Sequence, residues 1–443
     1  MAMRKTKIGL MVVASHFESG GERADELTKA TKKMLVDAGF DVLAANKTVW
    51  DPADAMEEGT FISKGEPDLL LVLHASWVLD SLQFVLQNTV DCPMVMWAVP
   101  YINTFSLACV QHFSSILKQR GMSCNYLYGL PGDKALQDKL MILAAAARAQ
   151  HSIKKARVAL IGPRQTWRVA GPQDSTVEEW DFAKKFGTNI VHIEMEELVD
   201  TAKKQSEEEA LEALKEIRKN RLGKCLADDE CLLWYARVYL GIKELSLRYG
   251  LSAVAAECYP NYIGLTNVPA SWLADEGFVV ETEGDIGHAT MMLALNEMAP
   301  GITALAEAGG YNVASNGLYL AHGGSSAHSL AGDVATTYIP KTGKFIGLKY
   351  KPTSVVTLAS IRGFNGSYKL SVATGAIDEA NQAEWEDAGY RLVAKFRPSI
   401  KVEDFFDRML ATGTDHHVLI HDGDLSKQLE VFCDLLKIEK VDL

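Results

Sequence analysis

The sequence lacks the features that mark several large classes of protein, beginning with paired cysteines. It has seven cysteines in 443 residues, which is an odd number, and none of them forms a C-x-x-C pair. A disulfide framework or a thiolate zinc site would need paired, closely spaced cysteines. The pattern therefore indicates reduced cysteines in a reducing compartment.

Long apolar runs are also missing. No stretch approaches the roughly 18 apolar residues of a membrane helix, and the alanine-rich run MILAAAARA is interrupted by Arg148. The apolar segment KIGLMVVAS near the N-terminus is too short for the hydrophobic region of a signal peptide, and polar residues follow it at once. We therefore expect a cytoplasmic protein that has no contact with a membrane.

Positive charge is in short supply as well. The 45 Lys and Arg residues face 57 Asp and Glu residues, giving a net charge of −12 and a pI of about 5.5. Such a surface repels the phosphate backbone, so we expect no nucleic-acid partner. The 48% of hydrophobic and 23% of charged residues are the balance of a folded soluble protein.

The first part of the chain alternates between apolar runs and segments of helical period. Apolar runs stand at 7–15, 41–46, 68–74 and 93–100. Continuous apolar runs are typical of parallel strands covered on both faces, and their alternation with helices indicates a doubly wound sheet. A second α/β segment begins after Ala156, where the pattern RVALIGPRQTW predicts a strand followed by a turn.

Beyond residue 305 glycine increases, and strand-like runs follow one another closely, which suggests an antiparallel sheet. The sequence thus predicts an α/β protein with two Rossmann-like doubly wound domains, 1–154 and 155–305. An antiparallel β-rich, barrel-like domain over 306–443 follows them.

Acidic residues collect where two predicted strands end. Glu257 ends the run AVAAE, and Glu281, Glu283 and Asp285 follow FVV. Ligands of open α/β sheets bind at the carboxyl ends of strands. Asp285 could simply cap the next helix. Against that reading, three carboxylates within five residues repel one another unless a cation neutralises them.

Histidines supply the second part of a candidate site. His416 and His417 precede the strand VLI, and adjacent strand residues point to opposite faces, so one can face a site while the other packs or meets solvent. His322 and His328 flank a glycine pair, which could equally be an ordinary turn. Oxygen ligands with one or two imidazoles suit Mn²⁺, Mg²⁺ or Co²⁺.

These motifs resemble a known family in their order. C-Y-P (258–260), the E-G-D turn (283–285) and a late histidine before a strand and G-D are similar to the L-fucose isomerase branch of the L-fucose/L-arabinose isomerases. The segments RVALIGPR (157–164), AHGG (321–324) and VTLASIRGFNGSYKL (356–370) also resemble segments of that family.

The resemblance implies a metal-dependent aldose–ketose isomerase that converts a monosaccharide through an enediol. It implies three domains in a homo-oligomer, a trimer or hexamer, and a divalent metal, usually Mn²⁺, with Mg²⁺ or Co²⁺ as alternatives. Two carboxylates and a histidine hold the metal in that family. By motif position, Asp285 matches the second carboxylate and His417 the histidine.

The first carboxylate departs from the family pattern. The family has Glu directly after the proline of its C-[WY]-P motif, whereas this chain has Asn261. Positions 257, 259 and 261 would share one face of a strand, so we hypothesise that Glu257 replaces the missing acid. Catalysis is then expected from Glu257 and Asp285, without choosing the base, and metal binding from these two and His417.

Candidate substrate contacts complete the set: His322, His416, Trp97, Arg164 and Asn261. Trp97 ends a predicted strand, where ordinary packing is the alternative to stacking on a sugar. The departure at Asn261 suggests a sugar other than L-fucose. A pentose, another deoxyhexose and an anionic sugar such as a sulfo-sugar stay open.

Two other functions fit the same features. A metal-dependent sugar lyase or aldolase would use the same enediolate chemistry. A non-enzymatic sugar-binding protein could also place two α/β domains around a cleft.

Overall fold

The computed structural model describes residues 4–162, 177–256, 262–323, 326–333 and 337–443, and every structural statement below refers to these ranges. They form two compact units. One runs through His151 and includes Lys427–Lys437, and the other comprises Ser152–Ser426 with Ile438–Leu443.

The first unit is built on a parallel sheet of five strands in the order β2-β1-β3-β4-β5. The strands are β1 (Lys7–Val13), β2 (Asp41–Ala44), β3 (Leu69–His74), β4 (Met94–Ala98) and β5 (Asn125–Tyr128). Its helices are α1 (Ala24–Asp37), α2 (Pro52–Lys64), α3 (Asp80–Thr89), α4 (Ser106–Gln119) and α5 (Lys134–Lys155).

Both faces of this sheet are buried, which explains the continuous apolar runs. Ile8 and Leu10 of β1 pack into one core cluster, while Met11 and Val13 pack into another. Neighbouring strand residues point to opposite faces, so a sheet covered on both sides needs apolar side chains at every position.

The second unit opens with a parallel sheet of four strands in the order β10-β9-β6-β7. These are β6 (Arg157–Ile161), β7 (Asn189–Ile193), β9 (Ala253–Ala256) and β10 (Val279–Glu281), while the short β8 (Lys224–Cys225) pairs elsewhere. The helices are α6 (Glu179–Phe186), α7 (Met195–Lys204), α8 (Glu207–Asn220), α9 (Asp229–Tyr249), α10 (Asn267–Asp275) and α11 (Ile286–Met298).

The remainder of the chain is rich in strands. They are β11 (Ala304–Asn312), β12 (Gly317–Ala321), β13 (Thr337–Ile339), β14 (Gly347–Leu348), β15 (Thr353–Phe364), β16 (Ser367–Asp378), β17 (Leu392–Pro398), β18 (His417–Asp422) and β19 (Glu439–Asp442). The large sheet has the order β15-β18-β11-β12-β17-β16-β19, and β15 also pairs with β16. A small sheet has the order β14-β13-β8.

Three helices interrupt this strand-rich region: α12 (Gln382–Asp387), α13 (Val402–Thr412) and α14 (Ser426–Leu436). The last one returns to the first unit, where Val431 and Leu435 pack against its core. Mixed α/β architecture with parallel sheets and a strand-rich C-terminal region is thus confirmed. The predicted domain limits stay a prediction.

Within the described part of the chain, no helix is both long and apolar enough to cross a bilayer.

Candidate metal centre

The acidic turn after β10 folds around the carboxylate of Glu281. This side chain is fully buried, and its oxygens accept the backbone N–H groups of Glu283 at 2.7 Å and Asp285 at 2.6 Å. Gly284 supplies the positive φ of 77° that the tight turn requires. Burial raises the pKa of Glu281 well above its usual range, and the nearby Asp285 charge adds to this. The sequence assigned Glu281 no specific role, although it named it among the clustered acids.

Asp285 caps helix α11, as the alternative interpretation of the sequence allowed. Its Oδ1 accepts the backbone N–H of His288 at 2.9 Å. Its Oδ2 accepts from Nδ1 of His288 at 2.7 Å and from Nδ1 of His417 at 3.0 Å. Burial opposes ionisation of Asp285, but the His288 charge and these hydrogen bonds hold its pKa well below the usual range. The carboxylate therefore faces two imidazoles.

Ser360 lies between the two histidines of this group. Its hydroxyl donates to the carbonyl oxygen of His417 at 2.7 Å, which uses its single proton. Nε2 of His288, 3.2 Å from the same oxygen, must then donate to Ser360. Ser360 therefore links the ring of His288 to the backbone of His417.

His417 turns its other nitrogen toward two further carboxylates. Nδ1 of this fully buried ring is bonded to Asp285, and Nε2 lies 3.3 Å from Oε2 of Glu283 and 3.4 Å from Oε1 of Glu307. Burial opposes protonation, but the surrounding carboxylates raise the pKa of His417 well above its usual range. A bound cation would take the place of the proton on Nε2.

Four side chains converge at this point. One ligand atom from each lies within 4.8 Å of the others, and we call them the acid–histidine cluster: Glu283, Glu307, His322 and His417. Atoms coordinating one ion at about 2.1 Å lie at most roughly twice that distance apart. The cluster is therefore close to the size that one divalent ion requires.

The electrostatics of the acid–histidine cluster favour a cation. Burial would raise the pKa of Glu283, but the neighbouring imidazoles of His322 and His417 hold it well below its usual range. The nearby imidazole of His417 likewise lowers the pKa of Glu307. Nε2 of His322 and Nε2 of His417 are buried and lack a hydrogen bond of good geometry within the described residues. Buried ring nitrogens with no such bond fit the donors of a metal site.

Sheet register explains how distant segments meet here. Glu307 of β11 stands directly opposite His417 of β18, and on its other side opposite Ala321 of β12. His322 follows Ala321 in the chain. Glu307 and His417 thus lie on neighbouring strands, His322 directly follows a third, and the turn after β10 adds Glu283.

A second group, Asp285, His288 and His417, is also compact enough for an ion. His288 and His417 both hydrogen-bond to Oδ2 of Asp285, and all three side chains are fully buried. We therefore regard this group as the support that orients His417, a role that carboxylates often have behind metal-bound histidines.

The acid–histidine cluster opens into a cavity of about 860 Å³, lined by Glu283, Glu307 and His322 among others. This volume is in the range of small-molecule sites. Polar side chains form much of the remaining wall: Asn267, Asn312, Tyr319, Thr342, Lys344, Glu384, Asp387 and Arg391. Such a wall suits a ligand with many hydroxyl groups.

The structure brings together three residues singled out in the sequence, namely Asp285, His322 and His417. His416 is half-exposed, with Nδ1 2.8 Å from Asp415 and Nε2 3.9 Å from Glu307. The hydrogen bond to Asp415 raises the pKa of His416.

Trp97, proposed as a sugar contact, is fully buried in the first unit. Its indole N–H donates to the carbonyl oxygen of Gly129 at 2.9 Å. No face of the ring is open to a ligand, which matches the packing alternative. Glu257, Asn261 and Arg164 lie outside the described residues, so their roles stay predictions.

Glu307 is the member of the cluster that sequence reasoning missed. The signal was a single carboxylate in the apolar run ALAEA, where an acid must be paired or liganded. Glu307 was not recognised as a candidate because no known motif surrounds it in the sequence.

Comparison with known proteins points to sugar isomerases. The chain is 21% identical over 403 residues to the sulfoquinovose isomerase of Clostridium sp. (strain MSTE9), covering 86% of this chain and 88% of that protein. It is 22% identical over 365 residues to the enzyme of that name from Priestia aryabhattai, covering 78% and 79%. It is 24% identical over 250 residues to the sulfoquinovose isomerase of Alkalicoccus urumqiensis, and this match covers 54% of this chain and 55% of that protein. These relatives bear the name of a sugar isomerase, as the motifs predicted, but not that of an L-fucose isomerase.

No family model matches the chain. Among solved structures, an ABC transporter solute-binding protein from Burkholderia multivorans shares 13% identity over 67% of this chain and 92% of that one, with a TM-score of 0.19. An ABC transporter solute-binding protein from Agrobacterium vitis shares 12% identity over 67% of this chain and 90% of that one, with a TM-score of 0.17. So slight a likeness carries no argument about fold or function.

Proposed function

We propose that this protein is a metal-dependent aldose–ketose isomerase whose divalent ion is held by Glu283, Glu307, His322 and His417. One observation carries the proposal: these side chains, from four separate segments, place their ligand atoms within 4.8 Å of one another beside a cavity that fits a monosaccharide. The named activity of the relatives supports isomerisation of a sugar, and a sulfonated hexose is their common substrate by name.

Oxygen donors with two imidazoles favour Mn²⁺, with Mg²⁺ and Co²⁺ as alternatives. Bound there, such an ion would supply Lewis acidity to the carbonyl and adjacent hydroxyl oxygens of a sugar. Here Asp285 serves to orient His417, because the described hydrogen bonds of its carboxylate run to His288 and His417.

Isomerisation moves a proton between C1 and C2, which requires a base that reaches the substrate, and a carboxylate can act as that base. Glu283 and Glu307 line the cavity, with side chains that are 26% and 40% exposed, whereas Asp285 is 1% exposed. We therefore assign proton transfer to Glu283 and Glu307 in place of Asp285. General acid–base catalysis of this kind contributes typically ~10²–10⁴-fold.

Incubation with a panel of aldoses and ketoses in D₂O with Mn²⁺ tests the reaction. We expect deuterium at C1 or C2 of the product, seen by NMR, because the proton exchanges with solvent while a carboxylate carries it. Smaller carbon fragments would instead identify a lyase or aldolase. Binding without exchange at any carbon would identify a sugar-binding protein.

We also propose that the protein is a homo-oligomer, a trimer or hexamer. Large apolar side chains on the first unit support this, since Ile102 is 95% exposed and Phe17 81% exposed. A contact between subunits would remove such apolar surface from water. Light scattering on the purified protein is expected to give three or six times the 48.6 kDa of one chain. A monomer at micromolar concentration would contradict the proposal.

Finer features of fold and location remain part of this proposal. The two parallel sheets are assigned Rossmann-like, doubly wound topology. The pairing of β15 with both β18 and β16 supports a barrel-like C-terminal sheet. The cytoplasmic location is proposed on the cysteine pattern of the sequence alone.

A further inference from the structure

The cavity beside the acid–histidine cluster also holds two cations that the proposed reaction does not use. Lys344 and Arg391 line it, and both side chains are exposed. Within the described ranges, no carboxylate oxygen lies within 4.0 Å of either cation, in contrast to Lys395, which pairs with Glu384 at 2.7 Å. Two cations in one ligand cavity, neither in an ion pair with a described carboxylate, indicate an anionic group on the ligand.

Arg391 is tied to the metal centre through the backbone. Its carbonyl oxygen accepts the N–H of His322 at 3.3 Å, and the next residue, Leu392, pairs with Ala321. Its guanidinium carbon lies 4.9 Å from the ring centre of Phe345, an arrangement that restrains the planar group. Such a restrained guanidinium can offer two parallel N–H donors to one oxyanion.

Lys344 is held beside the same loop by an amide bridge. Nδ2 of Asn267 donates to the carbonyl oxygen of Lys344 at 3.0 Å and to that of Gly323 at 2.9 Å. Gly264, with a φ of 88°, packs so closely that a Cβ there would lie 2.7 Å from Cα of Lys344. Both cations therefore stand on segments anchored next to His322.

The remaining charges of the cavity leave room for an anion. A divalent ion would balance Glu283 and Glu307. Glu384 is engaged by Lys395 at 2.7 Å and by the hydroxyl of Tyr319 at 2.8 Å. Asp387 is exposed and lines the wall as well, so it offsets one of the two cations.

We propose that Lys344 and Arg391 form an anion subsite that selects sugars carrying a sulfonate or phosphate on a carbon distant from C1. The assignment rests on the proposed function, because the acid–histidine cluster must hold the C1 and C2 oxygens for the anion to lie elsewhere in the cavity. A tetrahedral oxyanion is the chemistry that sulfonate and phosphate share.

Kinetics with matched sugars test the subsite. The substrates are glucose with a sulfonate at C6 in place of the hydroxyl, glucose 6-phosphate and uncharged 6-deoxyglucose. For Arg391→Ala and Lys344→Ala we expect KM for the preferred anionic sugar to rise about 10–100-fold, the effect of losing a hydrogen bond to a charged group. We expect kcat to change little, and kcat/KM for 6-deoxyglucose to stay within a factor of about three, because only ground-state binding of the anion is removed.

Controls separate charge from folding. Lys341→Ala removes an exposed lysine that lies near Lys344 in the chain but does not line the cavity, and it should leave every constant unchanged. Arg391→Lys keeps the charge and should give an intermediate KM. A higher kcat/KM for sulfonate than for phosphate, or the reverse, identifies which oxyanion the subsite takes.

Two outcomes would overturn the subsite: equal kcat/KM of the wild type for charged and uncharged sugars, or equal losses on both in Arg391→Ala. Turnover of no sugar would contradict the proposed function instead. Titration calorimetry with the same sugars then decides on the subsite, since selective binding of the anionic sugar, lost in Arg391→Ala, does not require turnover.

Discussion

Replacing Glu307 with Gln will lower kcat/KM for the sugar by on the order of 10³-fold, the consequence of losing several kcal/mol of electrostatic stabilisation. Glu307 lies 3.4 Å from Nε2 of His417 and contributes one of the two carboxylates in the acid–histidine cluster. Glutamine has nearly the same shape but no charge. The same variant should bind Mn²⁺ more weakly, as measured by metal analysis after dialysis.

Removal of the metal provides the matching experiment. Treatment of the wild type with EDTA should abolish turnover, and added Mn²⁺ should restore it, whereas Glu307→Gln should regain little. Glu379→Gln is the control, because Glu379 is an exposed glutamate of the same region outside the cluster. Full activity and metal content in Glu307→Gln would show that Glu307 is not a ligand, and full activity after EDTA would end the metal proposal.

The second large effect is expected on stability, from Asp285→Asn. Asp285 is buried between His288 and His417 and accepts three hydrogen bonds. Asp285 is one of the carboxylates that raise the pKa of the buried His417, so its loss leaves that imidazole less well compensated, and breaking a buried pair in this way costs about 3–5 kcal/mol. Urea unfolding of the metal-free protein should show this loss.

The same substitution tests how His417 is oriented. Loss of a carboxylate behind a metal-bound histidine typically weakens metal binding about 10–100-fold. Metal affinity lost as completely as in Glu307→Gln would instead make Asp285 a ligand, as the sequence predicted. Unchanged stability and unchanged affinity would contradict the role assigned here.

Ser360→Ala is a second variant that tests the support of the histidines if Asp285→Asn does not fold. It removes the hydroxyl that accepts from Nε2 of His288 and donates to the carbonyl of His417. Leaving a buried donor without its partner costs about 1–3 kcal/mol. A loss in this range, with Mn²⁺ binding retained, would place Ser360 in the support of His288 and not in the metal site.

Local pattern predicted the parts of the site that lie close together in the chain. The E-T-E-G-D turn is recognisable in the sequence because carboxylates crowd at a strand end. The His416–His417 pair is recognisable because it directly precedes the strand VLI. What local pattern could not predict was the direction of each side chain. Asp285 matched a metal ligand by motif, yet its carboxylate points to His288 and His417 while Glu283 lines the cavity.

The sequence by itself determined the layered α/β architecture of the first two sheets and the strand-rich texture beyond residue 305. Strands covered on both faces need unbroken apolar runs, and those runs are visible without coordinates. It also predicted one site for an acidic turn and a late histidine, and Glu283 and His417 lie 3.3 Å apart in the structure.

Only the tertiary structure decided which atoms meet there. Glu307 joins the cluster because antiparallel register sets β11 opposite both β18 and β12, and register depends on pairing between segments more than 100 residues apart, such as Glu307 and His417. The turn around Glu281 then selects Glu283 for the cavity and Asp285 for the interior. A ligand set assembled from four segments is a property of their packing, and no single stretch of sequence contains it.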